Sequence, residues 1–304
     1  MRHFLCIQDC TGQQLHQLLD LSIQLKAQYK QGTLKRTLQG KILAMVFEKA
    51  SLRTRMSFQV AMADLGGLAI HLKPDDIGTL GQREPVKDIA RVLGRYVHGI
   101  MARTYSHQTL IELARYAGVP VINALSDWSH PCQAMADMLT IKEHLGRLEG
   151  VRLAFIGDGN NVARALAFAS ARLGLNMTIA SPHGYELDAQ TIQAVNAERP
   201  CLVQVHDPVE AAKGADVVYT DTWISMGQEA ETEQRLRAFQ GYQVNAELLR
   251  HAPNAKIMHC LPAHRGYEIT DEVAESPNSI IFDQAENRLH FQRALLQALL
   301  GGDS

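Results

Sequence analysis

Hydroxyl and guanidinium side chains cluster where an apolar segment of the chain gives way to a helical pattern. Residues 51–55 read S-L-R-T-R and follow an apolar run that ends at Phe47. A turn that opens a helix directs backbone N–H groups and the positive helix end at an anion. The hydroxyls and arginines add charge-assisted, partly bidentate hydrogen bonds to a phosphate. Because Ser is a favoured N-cap and arginine a good helix former, a capped helix with a solvated basic face is an equal alternative.

A second junction of this kind carries an imidazole and an amide. Residues 127–133 read D-W-S-H-P-C-Q, with His130 immediately before a proline that begins a helical pattern. The imidazole, the Gln133 amide and another helix start therefore come together. Taken alone, a histidine in this position is more often structural than functional.

Residues 157–161, G-D-G-N-N, follow a predicted strand and precede a helix, as dinucleotide-binding turns do. Two details argue against a nicotinamide cofactor. Val162 occupies the position of the third small residue, and residues 180–181 offer no acid for a ribose. Asn160 and Asn161 instead place amide groups at the ligand-binding edge of an open α/β sheet, with a turn-forming role as the alternative for one of them.

Two later strand ends carry a carboxylate and a thiol. Residues 221–227, D-T-W-I-S-M-G, place Asp221 and Ser225 where a carboxylate could bind an amino group. Residues 259–264, H-C-L-P-A-H, combine Cys260 with two histidines. These are zinc-ligand types, but no second ligand pair at a usable spacing accompanies them, so no metal site is expected.

The elements that position these segments alternate between short apolar runs and amphipathic stretches, which predicts an α/β fold of parallel sheets covered by helices. Strands are predicted near 42–47, 68–72, 99–102, 119–123, 153–156, 177–180, 202–206, 217–220, 256–259 and 280–282. Helices are predicted near 11–29, 53–65, 85–96, 108–117, 131–146, 162–172, 189–198, 210–213, 246–251 and 287–300. Thr11 with Gln14 predicts a capping box, and Gly66 and Gly118 predict left-handed helix ends.

Composition sets the outer limits. The length of 304 residues favours two domains, with a boundary near residues 146–150. A hydrophobic fraction of 46% with 20% charged residues indicates a chain that is mostly folded and not disordered. Lys and Arg total 30 against 32 Asp and Glu, a net charge of -2, so no basic field favours nucleic acid.

The cysteines and the apolar runs bear on the cell compartment. Five scattered cysteines without a C-x-x-C spacing argue against a disulfide framework and predict reduced thiols. No signal-peptide stretch and no run near 18 apolar residues is present, which predicts a soluble, cytoplasmic protein without membrane contact.

Taken in chain order, four segments resemble the ornithine carbamoyltransferases, and the similarity spans nearly the whole chain. These are residues 51–55, 130–133 (H-P-C-Q), 221–227 and 259–262 (H-C-L-P). The first two segments are shared by carbamoyltransferases generally and indicate carbamoyl phosphate, whereas the last two are typical of the ornithine branch. The resemblance implies transfer of a carbamoyl group from carbamoyl phosphate to the side-chain amine of L-ornithine, giving L-citrulline and phosphate in arginine biosynthesis. It implies no cofactor, because carbamoyl phosphate already carries its activation.

The resemblance also implies an architecture. Two domains, each a parallel sheet covered by helices, are joined by two interdomain helices. Residues 1–146 form the carbamoyl phosphate domain, residues 147–286 the ornithine domain, and residues 287–304 a helix that packs back on the first domain. The resemblance also implies a homotrimer, or a multiple of trimers, with active sites at the interfaces between subunits.

Family roles carry over residue by residue. The resemblance assigns catalysis to Arg103, His130, Asp221 and Cys260. It assigns carbamoyl phosphate binding to Ser51, Leu52, Arg53, Thr54, Thr79, Arg103, His130, Gln133, Cys260, Leu261 and Arg288. It assigns ornithine binding to Asn161, Asp221, Ser225 and Met226. Arg103, His130 and Thr54 would polarise the carbamoyl oxygen, Asp221 with Cys260 would favour the neutral amine, and Leu261-Pro262 is expected to be a cis peptide.

Three positions depart from the family pattern. Ala50, Leu52 and Thr79 replace the usual proline, threonine and glutamine. The resemblance implies that Thr79 belongs to a loop, residues 78–84, that approaches carbamoyl phosphate, and Gln82 is the other candidate for this contact. Activity is expected to be retained. A carbamoyltransferase for putrescine, acetylornithine or aspartate, or a non-catalytic relative that binds metabolites, stays open as an alternative.

Overall fold

The computed structural model describes residues 1–73, 80–225 and 228–302. The chain forms two compact units: unit 1 comprises Met1–Leu139 with the chain from Asn287 onward, and unit 2 comprises Thr140–Glu286. Both changes of unit fall inside long helices. The domain limits of the sequence analysis, at residues 146 and 286, stay a prediction.

Unit 1 contains a parallel sheet with β1 in its interior. The four-stranded order is β2-β1-β3-β4, among the residues described. Its strands are β1 (Ile42–Phe47), β2 (Leu68–Leu72), β3 (Gly99–Arg103) and β4 (Val121–Leu125). Its helices are α1 (Gly12–Lys30), α2 (Leu52–Asp64), α3 (Val86–Tyr96), α4 (His107–Tyr116) and the first part of α5 (Pro131–Leu145). β1 and β3 are almost wholly buried, as expected for strands covered on both faces.

Unit 2 repeats this architecture with a five-stranded parallel sheet of order β7-β6-β5-β8-β9, counted over the described ranges. Its strands are β5 (Arg152–Ile156), β6 (Asn176–Ala180), β7 (Leu202–Val205), β8 (Val217–Thr220) and β9 (Lys256–His259). Its helices are α6 (Asn161–Leu173), α7 (Ala189–Glu198), α8 (Pro208–Ala212), α9 (Thr232–Ala238), α10 (Ala246–Leu249), α11 (Asp271–Ala274) and the start of α12 (Ile281–Leu300). The strand order reverses at β5, so the turns after β5 and β8 face a common crevice at the carboxyl edge.

Local sequence explains where several elements begin and end. The Thr11 hydroxyl accepts from the Gln14 N–H at 3.2 Å while the Gln14 amide accepts from the Thr11 N–H at 2.9 Å, which completes the predicted capping box. Gly66 and Gly118 have φ of 83° and 73°, the left-handed conformation that their positions after helices predicted.

The predicted strand at residues 280–282 is wrong. These residues lie at the start of α12, which begins at Ile281 and not near Asn287. The apolar residues 280–282 fit a buried strand and the first turn of a helix equally well. Next to them, an isolated parallel β-bridge joins Ile257 and Ser279. Arg288 therefore lies two turns inside a long helix and is buried, so it is neither at a helix start nor a surface charge.

Other differences concern short elements. The helices α9 and α11, of seven and four residues, were not predicted. Strand β4 starts at Val121, two residues later than predicted. Among the described residues, no helix combines the length and the apolar character that a membrane crossing needs.

Gly159 lies where two loops of unit 2 come close together. Its N–H donates to the Tyr185 carbonyl at 2.8 Å, and a Cβ on it would come within 2.3 Å of the Glu186 and Leu187 backbone. We expect Gly159→Ala to lower the free energy of unfolding by about 1–3 kcal/mol, because backbone on both sides leaves no room for a methyl group. The urea-unfolding midpoint measures this change. Gly302→Ala, where nothing lies within 4 Å, is the control, and equal midpoints for the two variants would contradict the prediction.

Candidate active site

In unit 1, the segment after β1 begins α2 with a pair of hydroxyls. The Ser51 hydroxyl caps the helix, accepting from the Thr54 N–H at 3.3 Å, and lies 3.1 Å from the Thr54 hydroxyl. Thr54 is fully buried, whereas the Leu52 side chain is 74% exposed. The helix start therefore directs two hydroxyls and its backbone N–H groups at one place, and the exposed leucine brings no polar group there.

Arg288 connects three of the predicted residues. From α12, its guanidinium donates to the Thr54 hydroxyl at 2.9 Å and to the Gln133 carbonyl oxygen at 2.8 Å. The same guanidinium lies 3.4 Å from Nε2 of His130. Gln133 in turn donates to Asp137 at 2.8 Å, which fixes the orientation of its amide. Residues from α2, α5 and α12 are thus held in one buried network.

His130 senses a strongly positive environment. Burial lowers the pKa of its imidazole well below the usual value, and the charges of Arg288, Arg103 and Arg53 lower that pKa further. The imidazole is therefore neutral at pH 7. If Nε2 accepts from Arg288, the proton lies on Nδ1, which has no hydrogen-bond partner among the described residues. The structure thus leaves His130 with an N–H donor for a ligand.

These residues share one edge of the unit 1 sheet. Arg103 is the last residue of β3 and is buried. Ser51 follows the end of β1, and His130 follows the end of β4. Because the strands are parallel, their carboxyl ends lie together, and with Arg53 and Arg288 they form a cationic, hydrogen-bonding site suited to a small dianion.

In unit 2, Asp221 follows β8 and is held by three donors. One carboxylate oxygen accepts from the Cys260 thiol at 2.8 Å and from the Thr222 N–H at 2.8 Å. The other accepts from the Asn160 amide at 2.9 Å. Asp221 and Cys260 are both buried. The carboxylate is therefore fixed in orientation at the crevice and can bind a cationic amine.

Asn160, which the sequence analysis placed at the ligand-binding edge of the sheet, has a role that was not assigned there, because it holds Asp221. Its amide oxygen caps α6 by accepting from the N–H groups of Val162 and Ala163, at 2.9 and 3.1 Å, while its amide nitrogen holds Asp221. Asn161, which the resemblance named, is the first residue of α6. The strong preference of Asn for the N-cap was the signal available in the sequence.

A second unassigned residue, Glu268, orients the turn that carries Cys260. His259 Nδ1 accepts from the Leu261 N–H at 2.8 Å, so the ring proton lies on Nε2 and donates to Glu268 at 2.9 Å. His259 and Glu268 are completely buried. Leu261 has a φ of 58°, and the Leu261-Pro262 bond is cis, as expected. No local pattern in the sequence marks Glu268 as the partner of His259.

Asp221, His259 and Cys260 also place three possible metal-ligand atoms within 4.8 Å of one another. Both ring nitrogens of His259 are already engaged, one by Leu261 and one by Glu268. A metal ion would have to break one of these buried hydrogen bonds. The trio is therefore better suited to holding the turn than to binding an ion.

The remaining predicted residues lie at several places. Ser225 is half-buried, and its N–H donates to Gln228 at 3.0 Å. Gln82, the alternative to Thr79, is exposed in unit 1. Thr79 and Met226 lie outside the described residues. Cys260 and Leu261, assigned to carbamoyl phosphate, belong to unit 2.

Comparisons with known proteins match both halves of the chain to the same family. Residues 2–143 match the family description "Aspartate/ornithine carbamoyltransferase, carbamoyl-P binding domain", and residues 149–299 match its "Asp/Orn binding domain". The chain is 52% identical to an ornithine carbamoyltransferase from Pyrococcus abyssi, covering 99% of this chain and 96% of the relative. It is 51% identical to an anabolic ornithine carbamoyltransferase from Pyrococcus furiosus, covering 99% and 97%.

A solved structure agrees as well. The ornithine carbamoyltransferase from Pyrococcus furiosus superposes with a TM-score of 0.95 at 50% identity, covering 100% of this chain and 98% of that one. The chain therefore belongs to the aspartate/ornithine carbamoyltransferase family. The resemblance stated from the sequence motifs, and the fold of two helix-covered parallel sheets, are confirmed.

The environment of His130 predicts how stability depends on pH. Above about pH 6.5, the imidazole is neutral in the folded and unfolded chains alike. As the pH falls below that value, the unfolded chain binds a proton that the buried site rejects, so the free energy of unfolding falls, by at most about 1.4 kcal/mol per pH unit. We expect His130→Gln to lose less stability than the parent between about pH 7.5 and 5.5 in urea titrations. His16→Gln, at an exposed position, is the control and should lose as much as the parent. An acid loss in His130→Gln equal to that of the parent would contradict the assignment.

Proposed function

We propose that this chain transfers the carbamoyl group of carbamoyl phosphate to the side-chain amine of L-ornithine, giving L-citrulline and phosphate. Full-length identity of about one half to ornithine carbamoyltransferases supports this activity. The observation that carries the proposal is the buried network of Thr54, His130, Gln133 and Arg288 in unit 1, in the positive field of Arg53 and Arg103.

The phosphate group is proposed to bind at the start of α2. Ser51, Arg53 and Thr54 provide hydroxyls, charge and backbone N–H groups there. Because the Thr54 oxygen accepts from Arg288 and lies against the Ser51 hydroxyl, its own proton is directed elsewhere and can serve a phosphate oxygen. Leu52 would contribute through its backbone N–H, since its side chain points to solvent.

The carbamoyl group is proposed to lie against Arg103, His130 and Gln133. Nδ1–H of His130 and the Arg103 guanidinium would donate to the carbamoyl oxygen. The Gln133 carbonyl already accepts from Arg288 and keeps a second lone pair for the carbamoyl amide. The backbone of Cys260 and Leu261 would orient the same amide, and Thr79 would complete the contacts. These roles rest on the family resemblance.

Ornithine is proposed to bind at Asp221. Asn161, Ser225 and Met226 would hold the α-amino and α-carboxylate groups, in keeping with the resemblance. An amine with a pKa of about 10.4 is neutral in only about one molecule in 10³ at pH 7, so deprotonation requires about 4–5 kcal/mol. Asp221, whose carboxylate is held by the Cys260 thiol, would favour the neutral side-chain amine by accepting its proton.

In the reaction, the neutral amine attacks the carbamoyl carbon and a new C–N bond forms. Negative charge develops on the carbamoyl oxygen, facing Arg103 and His130, and the C–O bond to phosphate then breaks. Phosphate leaves with the bonding electron pair towards the Ser51–Thr54 cradle, and the attacking nitrogen passes its proton to the departing phosphate. Preorganised charge at the oxygen supplies the largest part of the catalysis.

Assembly and location are further proposals. The resemblance supports a homotrimer, or a multiple of trimers, in the cytoplasm. Sedimentation equilibrium of the purified chain measures the first, and a mass other than a multiple of three chains would exclude it.

The experiment that tests the activity measures citrulline from carbamoyl phosphate and ornithine, beside putrescine, acetylornithine and aspartate at equal concentrations. We expect preference for ornithine, with kcat/KM lowered about 10²-fold or more in Asp221→Asn, because the amide keeps the shape but loses the charge that handles the amine proton. Asp20→Asn, exposed on α1, is the matched control and should be unchanged. Preference for another amine would replace the substrate, and carbamoyl phosphate binding without turnover of any amine would favour a non-catalytic relative.

A further inference from the structure

Two histidines and a glutamate lie together on the surface of unit 2. They have no role in the proposed reaction. Ligand atoms of His183, Glu186 and His206 all lie within 4.8 Å of one another. They lie beyond the ends of β6 and β7, whereas Asp221 follows β8 on the other side of β5. The cluster is thus distinct from the proposed ornithine site.

The backbone brings these residues together from two neighbouring strands. β6 and β7 are parallel and pair Ala180 with Val205, so the chain leaves both strands at the same level of the sheet. After β6, a tight turn closes with the Tyr185 N–H donating to the Pro182 carbonyl at 3.0 Å. Gly184 takes a φ of 86° in this turn, a conformation that favours glycine. The turn places His183 and Glu186 beside the residue that follows β7, His206.

Outer contacts orient two of the three side chains. Nδ1 of His206 lies 2.9 Å from the Ser181 carbonyl, which can only accept, so in the neutral ring the proton lies on Nδ1 and the ligating lone pair on Nε2. One oxygen of Glu186 accepts from the Gly184 N–H at 2.7 Å. Its other oxygen lies 3.6 Å from His183 Nδ1 and 3.9 Å from His206 Nδ1. A histidine that donates its Nδ1 proton to a carbonyl is the arrangement typical of metal ligands.

We propose that His183, Glu186 and His206 form a binding site for a divalent transition-metal ion, with zinc as the representative. Two imidazoles and one carboxylate are a ligand set of zinc, with water in the fourth position. The rings of His183 and His206 lie against each other, with centroids 3.8 Å apart and planes tilted by 35°. Because the ion must lie in the plane of each ring, His183 turns away from His206 on binding. Its side chain is 84% exposed, so this rotation displaces no packed neighbour.

Binding here has a structural consequence. The Tyr185 carbonyl, between the two proposed ligands His183 and Glu186, accepts from Gly159 at 2.8 Å. Gly159 belongs to the turn that carries Asn160, the partner of Asp221. An ion would therefore tie together two loops at the sheet edge and raise the unfolding temperature of the chain, since it binds the folded state.

The test uses the full-length chain without a polyhistidine tag, freed of metal, and titrated with Zn²⁺ by calorimetry. The other group of possible metal ligands, Asp221, His259 and Cys260, could compete for the ion. It is first disabled by Cys260→Ala, which removes its thiol. In that background we compare His183→Ala and Glu186→Gln with His251→Ala, an exposed histidine of the same unit. Glu186→Gln keeps the size of the side chain and guards against loss of folding, which circular dichroism checks.

We expect the Cys260→Ala parent and its His251→Ala variant to bind about one Zn²⁺ per chain, with the unfolding temperature raised by the ion. His183→Ala and Glu186→Gln should each weaken Zn²⁺ binding about tenfold or more. Losing even a hydrogen-bond partner of a metal ligand costs about tenfold in affinity. With Co²⁺, the parent should lack the near-ultraviolet band of thiolate coordination. No Zn²⁺ binding by the Cys260→Ala parent, or equal affinity in His183→Ala and the parent, would overturn the proposal. Neither result bears on the carbamoyl transfer proposed above.

Discussion

The gathering of positive charge around a buried imidazole is the constraint on which the rest of unit 1 depends. Arg53, Arg103 and Arg288 all oppose a proton on His130, which burial already disfavours. Like charges brought together out of water are unfavourable unless something negative offsets them. A dianion does so through several charge-assisted hydrogen bonds at once. The proposed affinity of the site for an anion and the neutrality of its histidine therefore have one cause.

The fold meets this constraint by drawing each group from a different element. β1 leads to the Ser51 cap, β3 ends on Arg103, and β4 leads to His130. Arg288 comes from α12, which re-enters unit 1 at Asn287. Parallel strands bring their carboxyl ends to one edge, so the first three groups converge without any long loop. The arginine from α12 then fixes the hydroxyl and the amide that would contact the ligand.

In unit 2, the corresponding group is negative: the Asp221 carboxylate. Asp221 is held by the Cys260 thiol, the Asn160 amide and the Thr222 N–H, so both of its oxygens are already oriented for the amine proposed to bind there. The buried pair of Arg235 and Asp158, 2.8 Å apart, adds support, because Arg235 also donates to the Trp223 carbonyl at 3.1 Å. The loop that begins at Asp221 is thus tied to the turn after β5.

The strands and the turns that follow them could be predicted because short apolar runs ending in polar residues leave a clear local pattern. The candidate residues at these turns, Ser51, His130 and Asp221, could be singled out for that reason, while their proposed roles came from the family resemblance. The contact of Arg288 with Thr54 spans 234 positions and leaves no local trace. Nor does the pairing of His259 with Glu268, whose residues are buried only once the fold exists. The apolar residues 280–282 misled because a strand and a helix start share that pattern.

The central claim is that the cationic network of unit 1 binds carbamoyl phosphate. Calorimetric titration of the wild-type chain, Arg288→Met and Arg55→Met with carbamoyl phosphate alone tests it most directly. Arg55 is the control because, although it belongs to the S-L-R-T-R segment, it is exposed and donates to Gln59 at 3.3 Å instead. The account predicts a loss of affinity of about tenfold or more in Arg288→Met, the effect of removing a hydrogen-bonded charge at about 1.5–3 kcal/mol, and no change in Arg55→Met. Equal affinity in Arg288→Met and the wild type would contradict it.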